Sequence, residues 1–133
     1  MTELPFDPAD APYVSLRTFR RTGVAVDTPV WIAGDATGLY VFSAPDAGKI
    51  KRLRHTDKVA LARCDARGRV TEPWISAVAS LLPAEADLRG IHQAFTHKYG
   101  WQMRLTNFFS RLTGRYSQRQ WIEISRDSLA AKG

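Results

Sequence analysis

The chain has one cysteine, Cys64, in 133 residues. An internal disulfide is therefore excluded, and a reducing, cytoplasmic setting is the expectation. No apolar run approaches the roughly 20 residues that a membrane span needs. The opening stretch, MTELPFDPADAP, is acidic and proline-rich and lacks the apolar centre of a signal peptide. It reads as a short arm over residues 1–11, ahead of one domain over 12–133. Histidine is scarce, at three, and no Cys/His/carboxylate spacing suits zinc or iron, so no metal is expected. Dinucleotide, P-loop and G-x-S-x-G patterns are all missing, which removes support for nucleotide-fold and hydrolase chemistry. No side chain stands out as a catalytic acid, base or nucleophile.

Positive charge is plentiful and local. Residues 49–69 hold eight basic side chains against two acids, which accounts for the whole net charge of +6. The other 112 residues carry eleven of each sign. Four of the six residues 49–54 are basic: Lys49, Lys51, Arg52 and Arg54. A field focused in this way attracts an anion, whether a phosphorylated cofactor, a polyanionic tail or nucleic acid.

Periodicity predicts strands over 13–20, 24–35, 39–44, 58–65, 70–82 and 119–127. On the second strand Val26, Thr28, Val30 and Ile32 share one face, and Asp27, Pro29 and Trp31 the other. Pro29 cannot donate to a ladder, so this strand is expected at an edge or a bulge. A helix is expected from Asp46, as N-cap, to His55, with Ala47, Ile50 and Leu53 buried and Lys51 and Arg52 pointing outward. From Glu85 the period turns helical, marked by Leu88, Ile91, Phe95 and Tyr99, and a second helical run follows Gly100 up to Gly114. Six strands with few helices predict a mainly β (β+α) domain. Short connections favour an antiparallel sheet curled into a small barrel with flanking helices.

The basic helix has two readings. One is a solvated face. The other is an anion site, with Lys49 on the first turn and Gly48 allowing close approach to the backbone. Trp31 also has two readings, as core or as a flat wall for a planar ligand. A small basic fold with exposed aromatics is also compatible with single-stranded nucleic acid, although this is the less favoured partner.

The run from VSLRTFRRTG through DTPVWIAGD, LYVFSAPDAGKIKRLRH and TDKVALARCDARGRV resembles the split β-barrel oxidoreductases related to pyridoxamine 5′-phosphate oxidase. The nearest branch is the one that uses the deazaflavin coenzyme F420. CDARGRV and the later KYGW resemble one actinobacterial subgroup of it. The resemblance covers residues 12–126. It implies a six-stranded split barrel, a homodimer and a cofactor between the subunits. It also implies hydride transfer from reduced F420 to an unsaturated small-molecule acceptor. Lys49 matches the phosphate-binding lysine, with Gly48 beside it and Arg52 or Arg54 assisting. Thr28, Pro29, Val30 and Trp31 match the strand lining the tricyclic ring. Ser43 and Ala44 match the strand end beneath the phosphate arm, and Pro73 and Trp74 the point where the fifth strand passes the ring. The usual Asn-Pro after the helix is Thr56-Asp57 here. Ala47-Gly48 replaces a pair in which some relatives carry a second arginine. Flavin mononucleotide is the alternative cofactor, and a carrier of F420, flavin or tetrapyrrole without turnover the alternative role. The tail of F420 is expected near Lys51, Arg52, Arg54 and Arg69.

Overall fold

The computed structural model describes residues 4–34, 37–44, 47–71, 73–100 and 119–131. Strands β1 (Val14–Phe19) and β2 (Ala25–Val30) form an antiparallel hairpin. Its turn relies on Gly23, whose φ of 89° lies where a side chain is strained. Along β2 the exposed residues Ala25, Asp27 and Pro29 alternate with the more buried Val26, Thr28 and Val30. This is the expected period of two. The short β3 (Ala33–Gly34) and β4 (Leu39–Ser43) follow, then helix α1 (Gly48–Leu53), β5 (Lys58–Arg63) and β6 (Ile75–Leu81). Helix α2 (Arg89–Tyr99), β7 (Gln120–Ile124) and β8 (Ala130–Ala131) complete the described elements.

All the strand pairings are antiparallel, in the order β2-β1-β5-β6-β7-β4-β3, with β8 added to β6. The two ends of this order, β2 and β3, are joined by Trp31 and Ile32 alone. Three Cα–Cα steps reach at most about 11 Å. The two edges must therefore lie close together, which forces the sheet to curl into a barrel.

Two apolar clusters support this shape. One fills the barrel and includes Leu16, Ile32, Val41, Ile50, Leu61 and Ile122. Burying each such side chain contributes about 1.5–3 kcal/mol. The other lies under α2, where Ile91, Phe95 and Tyr99, at spacings of four, meet Ala33 and Trp121. The described part of the N-terminal arm is docked. Asp7 caps a single 3₁₀ turn (Pro8–Asp10) through the Ala9 N–H at 3.0 Å, and Ala11 is fully buried.

Among the described residues eight strands stand where six were expected. The strand expected over 24–35 breaks at Trp31-Ile32 into β2 and β3, because the chain there crosses from one sheet edge to the other. The two-residue β8 has too little sequence to carry a period. Pro29 does lie on an edge strand, since β2 pairs with β1 alone. The expected N-cap Asp46 and the helical run over 101–114 fall outside the described residues.

Candidate functional site

The corner between β2 and β3 is clasped by the last turn of α2. The Tyr99 hydroxyl accepts the Ile32 N–H at 2.9 Å. Its own hydrogen is shared between the carbonyls of Pro12 and Ile32, at 2.9 and 3.0 Å. The Lys98 ammonium donates to the carbonyls of Ala11 and Ile32, both at 2.6 Å. Burial pushes the Lys98 pKa down to about 8, partly opposed by Asp10 and Asp7. Burial likewise pushes Tyr99 up to about 12. The Trp31 ring stacks on Tyr99, with centroids 4.4 Å apart and planes 8° from parallel. Tyr99 is thus engaged with backbone, and His97 on the same helix is exposed.

Next to this corner, the ends of β2 and β4 and the first turn of α1 enclose one groove of about 480 Å³. This is a size typical of small-molecule sites. It is lined by Pro29, Val30, Trp31, Ser43, Ala44 and Lys49, all singled out from the sequence, together with Phe42 and Ala47. Phe42 was missed. As a half-buried aromatic two residues before a loop it carries no pattern of its own, and its ring is fixed from behind by Phe95 and Trp121 at 5.4 and 5.0 Å.

Lys49 is half-buried and makes no hydrogen bond or ion pair with any described residue. Burial first, and the neighbouring Arg52 second, lower its pKa. A partly desolvated ammonium beside another cation, with no acid among the described residues near it, is a socket for an anion. Arg52 does not point outward as expected. Its Nε donates to Thr18 Oγ1 at 2.6 Å, and its Nη1 would stand 2.8 Å from a Cβ placed on Gly48. It lies back over the first turn of α1, held by the buried hydroxyl of β1.

Other expected residues are placed elsewhere. Thr28 faces inward, its Oγ1 buried without a hydrogen-bond partner. Gly48 and Arg52 flank the groove without lining it, and Arg54 and Lys51 are exposed on α1. Pro73 is exposed. Trp74 is covered by the Arg17 guanidinium, 3.8 Å above its ring, and Arg17 is held in turn by Asp27 through bonds of 2.8 and 3.0 Å. Arg69 is engaged by Asp65, which accepts its Nε at 2.8 Å and the N–H groups of Arg67 and Arg69, both at 2.9 Å. These bonds hold the Asp65 carboxyl below its ordinary range. Among the described residues no helix is long and apolar enough to cross a membrane.

No protein-family model matches the chain, and no curated protein matches its sequence. Solved structures match in fold. HutZ, the heme storage protein of Vibrio cholerae, superimposes with a TM-score of 0.63 at 15% identity, over 95% of this chain and 89% of that one. An F420 reductase gives 0.56 at 16% identity, over 99% and 100%. A Listeria innocua protein assigned as a pyridoxamine 5′-phosphate oxidase gives 0.55 at 14% identity, over 93% and 90%. What this chain shares with them is the split-barrel fold, a curled antiparallel sheet with two α-helices among the described residues.

Proposed function

We propose that this chain binds coenzyme F420 in the groove beside Trp31 and Lys49, and that it is a deazaflavin-dependent reductase of a small unsaturated organic acceptor. One observation carries the reading. A flat, braced indole and a half-buried ammonium with no acid partner among the described residues line the same groove. The residues suit such a group: Pro29, Val30, Trp31 and Phe42 offer apolar walls to a tricyclic ring, and Lys49 offers charge to a phosphodiester. The exposed Lys51 and Arg54 remain for the glutamate tail, whereas Arg69 is engaged by Asp65. In this reading a second copy of the chain closes the groove, as a homodimer.

When bound in its reduced form, the deazaflavin supplies a hydride. The chain's own residues bind, orient and exclude water. Lys49 holds the anionic arm, Trp31 keeps a fixed plane because Tyr99 braces it, and the apolar walls lower the local dielectric. Among the described residues no carboxylic acid, histidine, cysteine or tyrosine lines the groove. In this reading the proton that completes the reduction comes from solvent. The same lining favours one second reading, a cofactor carrier without turnover.

Fluorescence titration with oxidised F420 and with flavin mononucleotide tests the proposal. Tighter binding of F420 is expected, since its anion is longer. Equal or reversed affinities at physiological salt would overturn it. Tight F420 binding with no acceptor reduced across a nitroaromatic, enone and quinone panel would favour the carrier.

A further inference from the structure

We infer that a second groove, at the opposite end of α1 from Lys49, binds a small molecule carrying two or more phosphates. This groove has a volume of about 560 Å³, and its lining includes Phe19, Arg20, Arg21, Gly23, His55 and Lys58. The β1–β2 turn forms one wall, and the residues between α1 and β5 form the other. Gly23 supplies the positive φ that the β1–β2 turn needs, and the space beside it is open.

Exposed basic side chains are ordinary on a protein surface, but three features set these apart. None of the lining residues is acidic, and Asp57, between Thr56 and Lys58, does not line the groove. Among the described residues Arg20, Arg21 and Lys58 have no acidic partner, as Arg52, Arg54, Arg63 and Arg67 also have none, but these three converge on one groove. Arg21 Nη2 lies 3.2 Å from His55 Nδ1. A guanidinium only donates, so the imidazole accepts on that nitrogen. A permanent cation and an imidazole are thus held together with no counter-charge. The field also reaches inward, because Arg20 adds to the burial that lowers the Arg52 pKa. Cations converging on a concave surface focus potential there.

Phosphate suits the groove better than carboxylate. The adjacent Arg20 and Arg21 present forked donors that match phosphate oxygens two at a time. The volume exceeds one ion, and cations on both walls favour more than one phosphate, with Phe19 as apolar floor for the rest of the molecule.

Calorimetric titration of the full chain with inorganic tripolyphosphate at physiological salt tests this site. Arg21→Gln and, separately, Lys58→Gln are each expected to weaken binding tenfold or more, the loss of a charge-assisted hydrogen bond. Arg67→Gln removes the same charge from an exposed turn elsewhere and should cost less than twofold. Lys49→Ala should leave tripolyphosphate binding unchanged, and saturating oxidised F420 should not displace it, so this site stands or falls apart from the cofactor groove. Equal losses in all the variants, or citrate bound as tightly as tripolyphosphate, would reduce the groove to a diffuse field. Displacement by F420 would merge it with the cofactor site. Tighter binding of a single-stranded oligonucleotide, with a steep salt slope, would make it a nucleic-acid surface instead.

Discussion

The rings of Trp31 and Tyr99 lie 4.4 Å apart and nearly parallel, while the Tyr99 hydroxyl holds both the N–H and the C=O of the next residue, Ile32. One side chain thus fixes the backbone of the barrel corner and the plane of the groove wall.

Tyr99→Phe keeps the stack and removes the hydroxyl. The Ile32 N–H is then buried without a partner, because Ile32 is fully buried. The expected loss is about 1–3 kcal/mol of stability, read from urea denaturation. Tyr99→Leu also removes the stack and should weaken F420 binding more than Tyr99→Phe does. Equal affinities in the two variants would show that the ring does not position Trp31.

Lys49→Ala should weaken F420 binding by about 10- to 150-fold, through loss of a charge-assisted contact. Lys51→Ala removes an exposed charge and should cost less than about 1 kcal/mol. Salt should erase the Lys51 effect and only part of the Lys49 effect. Dissociation constants at low and high salt separate the two. Equal and fully salt-sensitive losses would speak for a diffuse basic face.

The low Lys98 pKa makes stability depend on pH. In the folded chain the ammonium gives up its proton near pH 8, against an ordinary value of 10.5. Between these values the unfolded chain binds more protons, so this group makes stability rise with pH. Tyr99 works in the opposite direction above pH 10, where it keeps a proton that the unfolded chain loses. The melting temperature of the wild type, compared with Lys98→Met, should therefore rise from pH 8 to about pH 9.5. Parallel profiles for the two proteins would remove Lys98 from the clasp.

The readable parts of the sequence were those set by local pattern. The alternation on β2 and the Ile91, Phe95, Tyr99 stripe on α2 follow from periods of 2 and 3.6, which any half-buried element shows. Six of the residues lining the groove could also be named, Lys49 and Trp31 from charge and placement and Pro29, Val30, Ser43 and Ala44 through the family resemblance. What could not be read depends on contacts between residues far apart in the chain. The corner at Trp31-Ile32 is held by Tyr99, 67 residues from Ile32. Arg52 turns back because Thr18 accepts its Nε, and Trp74 is covered by Arg17 instead of facing the groove. Arg69 is a local exception. Its partner Asp65 is four residues away, and the turn between them hides the pair from helical or strand spacing.

The strand order also sets a timetable for synthesis. Among the described residues β4 pairs only with β3 and β7, and β7 is made roughly 80 residues later, which is about 4–16 s at ~5–20 residues per second. Until then a two-residue strand is β4's one neighbour, and the edge carrying Val41 and Ser43 stays open on the ribosome. Ser43 and Ala44 form one wall of the groove. The pocket is thus among the last parts of the chain to take shape, and a nascent chain stalled before residue 120 would offer neither a finished barrel nor a ligand to stabilise it.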